Sequence, residues 1–579
     1  MRRVCRSAVP RMKSVAAAIV ALASAGSASA FQFSTGSDWN VHWDNTVQAN
    51  LGMRAQSLDP DIANNPANQA SDGKFSKAGD LVTERFSLLS EFDAVYQNTV
   101  GVRVSASGWK DFAYNSNALT GPGYTGQSNY YNSTYSPYTK RFYEQGAQLL
   151  DAFVFSNFDL AGHQTSLKVG RLNQYWGNSL FLSGMGIAYS QSALDLIKAA
   201  NSPGTTAKEL SIPRAQINFS TQITPTWQLG GQYFLEFQGN RLPEGGTFTG
   251  PADLGFDGPQ QWFPIGGVPY SLQRLDTNKP SNVSNNFGVT THWSPAWLDG
   301  TAGLYYRRFD ETQTAGPVLG GYGANGPLSN VIGSFYRFVY PTDTQLIGFS
   351  LDKEIGGIST GLEVSYRKNT GLKTNGGVPV ASDNSNASLI ARGNTLNVLA
   401  NAVVGLTPTP FYQAGTALFE VGYTHLLSVT NNAGGRFQSV NNSQACTVAL
   451  ANGSVVPGDE NNGCVTRNSV VVAFLFSPQW LQVFPGVDLS MPIFAEYGLI
   501  GSTASLGVPV AHRDLTYSIG VSATIQQRYF VTLAYNGNHG NLGTLSTNPA
   551  NGLSYYSGGN NVGMFNDRNW VSLTFSTTF

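Results

Sequence analysis

The sequence is poor in charge, poor in cysteine and without a long apolar run. Asp, Glu, Lys and Arg together make up 12% of the chain, about half the share of an ordinary soluble protein. No stretch approaches the roughly 20 apolar residues that a membrane helix needs. Lys and Arg (34) balance Asp and Glu (35), so there is no basic surplus and nucleic acid is not an expected partner. The same near-neutrality gives no basis for anion or cation selectivity. The histidines (His42, His163, His292, His425, His512 and His539) are scattered, with no His-x-x-x-His pair or His/Cys/Asp cluster, so no zinc or other cofactor is expected. No Gly-x-Ser-x-Gly elbow is present, and the chain is not expected to be an enzyme.

Of three cysteines, Cys5 lies in a leader. Residues 1–30 combine a basic start (Arg2, Arg3, Arg6, Arg11, Lys13), an apolar run over Val15–Ala25 and a small-residue cleavage site, Ala28-Ser29-Ala30. This is the pattern of a secretory signal peptide. Removing its five basic residues takes the formal net charge from −1 to −6. Cys446 and Cys464 share one polar loop, and in an oxidising envelope they read as a disulfide.

What is abundant is glycine (64) and tyrosine (26). The apolar residues come in short alternating segments. Val41, Trp43, Val47, Ala49, Leu51 and Met53 fall on one face, with His42, Asp44, Thr46, Gln48, Asn50 and Arg54 on the other. The last segment, Trp570 to Phe579, alternates Val571, Leu573, Phe575 and Thr577 with small polar residues. Period two with an apolar outside and a polar inside marks a lipid-facing barrel strand. A final aromatic strand ending in Phe579, with Phe575 before it, also resembles the signal read by the bacterial barrel-assembly machinery.

Connections between segments alternate in length. Short turns fall near Asn98, Gly162, Pro225, Pro295, Gly356, Pro408, Pro485 and Gln527, and long polar loops fall between them. A closed, even-stranded barrel with both ends in the periplasm requires that alternation. The expected fold is therefore an all-β transmembrane antiparallel β-barrel of about 18 strands, with 16 as the alternative, spanning 31–579 in the outer membrane of a Gram-negative bacterium. Only Phe31 to Asn40 precede the first strand, which leaves no room for the plug of an energy-coupled transporter. Trp109, Trp227, Phe237, Trp293, Trp297, Trp480 and Trp570 read as aromatic girdles at the membrane interfaces.

Two loops invite other readings. Asp59-Pro60-Asp61-Ile62-Ala63-Asn64-Asn65 offers oxygens for calcium, but a solvated turn cluster is the simpler reading. The tyrosines between Tyr114 and Tyr143 form either a sugar-stacking surface or, as favoured, a cap in which they pack on one another.

One long loop, about 173–212, is not polar. It carries Leu180, Phe181, Leu182, Met185 and Ile187, a helix-like piece over Leu194–Ala200, and clustered charge. A solvated loop has no use for that apolar content. The expectation is a segment folded into the lumen as a constriction rather than a lid on the barrel top. Arg171, Trp176, Lys198, Lys208, Glu209, Arg214 and Glu236 are its expected lining, and the charges among them would meet inward strand charges such as Arg85, Glu91, Arg103, Arg307 and Glu363.

Around this loop the motifs Val169-Gly170-Arg171…Trp176-Gly177, Asp195-Leu196-Ile197-Lys198…Ser202-Pro203-Gly204, Lys208-Glu209…Pro213, Tyr233 to Phe237 with Arg241-Leu242-Pro243, and Ala252-Asp253 resemble an uncharacterised proteobacterial outer-membrane β-barrel family, domain of unknown function 1302. The likeness runs over nearly the whole mature chain. Asn178 stands where that family commonly has Glu. The resemblance implies an outer-membrane barrel working with a periplasmic lipid-carrier-like protein and inner-membrane exporters. It implies no substrate. The expected function is an outer-membrane channel for small, hydrophobic or lipid-like molecules, in contact with outer-membrane lipid and lipopolysaccharide. The alternative is a barrel that only displays its loops for adhesion.

Overall fold

In the computed structural model, the described residues are 31–33, 38–65, 74–114, 135–205, 207–250, 261–265, 268–274, 279–315, 317–320, 335–375, 390–432, 435–440, 442, 445–449, 455–508, 510–548, 552–560 and 562–579. The leader, Tyr124, Tyr130, Tyr131 and the Ala252-Asp253 motif lie outside them.

Eighteen antiparallel strands close into one barrel. In chain order they are β1 (Trp39–Arg54), β2 (Leu81–Tyr96), β3 (Val100–Asp111), β4 (Gln145–Leu160), β5 (His163–Leu172), β6 (Arg214–Thr224), β7 (Trp227–Phe234), β8 (Phe287–Trp293) and β9 (Gly300–Phe309). There follow β10 (Thr344–Ile355), β11 (Ile358–Gly371), β12 (Arg392–Gly405), β13 (Ala414–Asn431) and β14 (Asn468–Phe484). The last are β15, in two pieces (Val487–Ser490 and Ile493–Ile500), β16 (Leu515–Ile525), β17 (Tyr529–His539) and β18 (Trp570–Thr578). Pro492, which has no N–H to give to a ladder, falls at the break in β15.

β18 pairs back onto β1 from Arg54↔Trp570 to Thr46↔Thr578. Below that seam the short strand Phe31–Phe33 pairs with Val41–Trp43 and covers the rest of the β1 edge. Every other connection is short, as at 161–162, 225–226 and 356–357, and the rest are long, as the sequence expects. By the rule for such barrels the long loops face outward from the cell.

The barrel is inside-out. Met53, Leu304, Ile347, Ile519 and Leu533 are exposed on its outer surface, whereas Arg54, Arg85, Arg214, Arg307, Arg367 and Arg568 are among its most deeply buried side chains. A buried guanidinium needs acceptors, and each has them. Arg54 pairs with Asp567 at 2.9 Å, and Arg568 donates to Phe248 O and Gly250 O.

The girdle expectation needs correction. Trp227, Trp293 and Trp297 are exposed on the outer surface, but Trp109 and Trp570 are buried. Trp109 shares the parity of Arg103, Ser105 and Ser107 on β3, and its ring carries Arg85 and Lys198, each 5.1 Å from the centroid. Trp570 meets the Phe248 ring edge-on. Phe237 leaves the wall at the end of β7 and packs on Tyr340.

The described parts of the long loops pack against one another at the outer end. Cys446 and Cys464 are bonded, with Cα atoms 5.8 Å apart. Tyr114, Tyr135 and Tyr143 pack together with Phe75, Phe248 and Trp570, so these tyrosines pack on one another as the sequence suggests. The Asp59 cluster forms a short helix, Pro60–Ala63, capped by Asp59. Asn64 and Asn65 dock it on Ser554 O and Tyr556 O.

Candidate functional site: a loop held across the lumen

The segment between β5 and β6 folds into the lumen. Its apolar residues find partners there: Leu182 and Met185 pack with Leu399, Val471 and Val508, and Trp176 and Ile187 pack with Tyr305, Phe309 and Leu346. The piece after them forms the helix Leu196–Asn201, capped by the Asp195 side chain on Lys198 N.

Residues 178–190 have no regular structure, so their buried backbone groups must be paired by something else. Inward strand charges do this. Glu363 on β11 accepts the N–H groups of Asn178, Ser179 (3.0 Å) and Ile187 (2.6 Å). Glu420 on β13 accepts those of Leu180 (2.8 Å), Phe181 (2.6 Å) and Leu182 (2.6 Å). The carbonyls are met by arginines. Arg367 donates to Gly184 O (2.9 Å) and Gly186 O (2.8 Å). Arg307 donates to Ile187 O (2.7 Å) and Tyr189 O (2.8 Å). Hydrogen bonds with one charged partner are about twice as strong as neutral ones.

Two glycines make the approach possible. Gly177 has φ +86°, and a Cβ there would lie 2.4 Å from Glu363 Oε1. Gly184 touches the backbone of Gly507, where a Cβ would come within 2.3 Å. Asn178 accepts from Asn401 Nδ2 through its carbonyl and donates its amide to Leu351 O.

The lining residues divide. Trp176, Lys198, Glu209 and Arg214 are buried inside the barrel. Lys198 lies 3.7 Å from Glu209, and burial pushes its ammonium below the usual lysine range, with Glu209 and Asp195 opposing. Lys208 pairs with Glu91 of β2. Burial lowers its pKa too, against Asp44 and Glu209. Arg214 lies over the Phe234 ring at 3.9 Å and donates to Ser190 O.

Arg171 and Glu236 are placed differently from the expectation. They pair at 3.4 Å, but at the rim of the wall. Arg171 is in register with Ala215, one residue off the inward row of Arg214 and Gln216, so its side chain leaves the lumen. The expected meeting of charge with charge takes the form of an ion pair for Lys208 and Glu91, and Glu209 also acts electrostatically on Arg85. Arg307 and Glu363 serve the loop's backbone instead. Glu420 and Arg367 were missed, although Arg367 shares the parity of Glu363 on its strand.

The loop leaves two spaces beside it. One, of about 380 Å³, lies toward the short-turn end between β5 and β10, with Lys168, Trp176, His292, Tyr305 and Asp352 in its wall. The other, of about 320 Å³, lies against β15–β18 under Phe248, Phe494 and Trp570, among Ser, Thr and Asn side chains. Among the described residues no group of three or more His, Cys, Asp or Glu is placed to hold a metal.

No curated protein matches the chain. Solved structures similar to it include OccAB3 of Acinetobacter baumannii, at 10% identity over 93% of this chain and 99% of that one with a TM-score of 0.42. The outer membrane channel DcaP of the same organism matches at 12% identity over 95% and 100%, with a TM-score of 0.33. The outer membrane protein opdK of Pseudomonas aeruginosa matches at 10% over 93% and 98%, with a TM-score of 0.39. None is near enough to lend its residue roles. A family profile described as "Protein of unknown function (DUF1302)" matches residues 11–579. The chain therefore belongs to the DUF1302 family.

Proposed function

We propose that this protein is an outer-membrane passage for small molecules, with the 173–212 loop as its constriction. The observation that carries the reading is the mooring of that loop on Glu363, Glu420, Arg307 and Arg367, with a space left on either flank. A loop serving only to plug the lumen would have no need of polar-walled spaces beside it.

The lining bears on the cargo. The rings of Trp176 and Tyr305 in one space and of Phe494 and Trp570 in the other favour molecules with an apolar or aromatic part. The polar groups around those rings favour cargo that also offers hydrogen bonds, which narrows the expectation of plainly hydrophobic molecules. A periplasmic carrier-like partner and an inner-membrane exporter, implied by the family resemblance, belong to the same proposal.

The test is single-channel conductance in planar bilayers for the full protein and for a variant lacking Asn178–Ala207. Weak conductance that becomes strong on deletion supports a constricted passage. If neither protein conducts, the barrel is filled and loop display becomes its role.

A further inference from the structure

β4 and β5 are unequal neighbours. β5 ends at Leu172, where the chain turns into the lumen, while β4 runs on up to Gln145. Their pairing stops at Ala152↔Arg171, and beyond it β4 is paired only on its other side, with β3. The wall is therefore notched beside residues 145–151, and a cleft of about 810 Å³ fills the notch.

The cleft is cationic. Arg141, Arg171, Arg241 and Lys279 line it, and no carboxylate does so among the described residues. Two of the four cations are balanced from behind: Arg241 by Asp195 at 2.8 Å and Arg171 by Glu236 at 3.4 Å. Arg141 and Arg241 share the Phe142 ring, at 5.4 and 4.5 Å from its centroid. Two guanidiniums on one ring repel each other, and an anion held by both would offset that repulsion.

The cleft is also beside the lipid. Leu149, half exposed on the outer surface, is part of its lining. A barrel strand crosses the hydrocarbon in about 9–11 residues. Counted along β4 from the short turn after Leu160, that band ends near Leu149, which puts the cations at the level of the outer headgroups.

We infer that this notch binds the anionic, phosphate-bearing headgroup of an outer-leaflet lipid. The guanidiniums take the phosphate oxygens, and Leu149 faces the chain below. The site stands whether or not the lumen conducts.

The test uses the full protein in phosphatidylcholine nanodiscs, with purified lipid A and inorganic phosphate as probes. The variants are Arg141→Ala/Lys279→Ala, which removes the two exposed cations, and Arg513→Ala, which removes an exposed cation on the far side of the rim. We expect lipid A to be retained by the wild type and by Arg513→Ala, and retained at least about tenfold less well by the double variant. All three should keep the same heat-modifiable mobility on gels. Equal retention by the double variant overturns the inference, as does equal loss in Arg513→Ala, which would indicate diffuse attraction. Competition by inorganic phosphate as effective as that by lipid A would show a site for free anions and overturn the lipid assignment.

Discussion

Glu363 and Glu420 face one lumen from β11 and β13, and between them accept every backbone N–H from Asn178 to Leu182. A carboxylate can serve several donors at once because it is acceptor-only. Glutamine keeps only one acceptor oxygen, without the charge, and sets an NH2 donor against the N–H groups that the other oxygen served.

Glu420→Gln, and separately Glu363→Gln, should therefore loosen the loop without unfolding the barrel. Losing a charged acceptor from buried N–H groups costs about 2 kcal/mol. The expected outcome is larger or noisier single-channel conductance and faster proteolysis within 173–212, with unchanged heat-modifiable mobility. Unchanged conductance and proteolysis in both variants would refute the mooring.

Gly177→Ala tests the same junction from the loop's side. The added Cβ meets Glu363, and the positive φ adds backbone strain of about 1–2 kcal/mol. The variant should resemble Glu363→Gln in conductance. Combining the two should add less than their sum, because both act on one contact.

Reducing the Cys446–Cys464 bond should free the outer loop alone. Closing a loop of this size is worth about 3 kcal/mol in the chain-entropy model, but the bond lies outside the strand ladder. Cys446→Ser/Cys464→Ser should speed proteolysis within 432–467 and leave the thermal midpoint of the barrel nearly unchanged.

The outer rim should respond to pH. Burial pushes Asp514 up from 3.8 to about 6, against the Ala511 N–H, Lys373 and Asn560, and pushes Lys373 down to about 8. A carboxyl with a raised folded pKa favours the fold most when protonated, so its contribution falls as pH rises from about 4 through about 6. Asp514→Asn has no such titration. Relative to the variant, the wild type should lose up to about 3 kcal/mol of local stability across that window. The ratio of hydrogen-exchange rates at Gly498 and Ala511 in the two proteins would report it, and a pH-independent ratio would contradict it.

The strand pattern was legible because a barrel wall obeys a strict period of two, and its loops sort by length. The same rule, applied residue by residue, puts Trp109 and Trp570 inside, and overlooking it made them look like girdle residues. Arg171 escaped for a related reason: its neighbours in the motif face the lumen, but its own parity faces out. The inward loop was legible from Leu182, Met185 and Ile187, which no solvated loop would carry. Its anchors were harder to see. Glu420 and Arg367 act on backbone atoms, and a backbone has no letter in the sequence to mark where it will be gripped.

That manner of gripping has a consequence for change. Charges that hold main-chain atoms do not read side chains, so the fastening between wall and loop is indifferent to most of what the loop displays. Gly177, Gly184, the few apolar plugs and the side chains that reach the wall themselves, Lys208 on Glu91 and Lys198 on Trp109, are the exceptions. The remaining positions can be exchanged while the same four wall residues keep the loop's backbone in place.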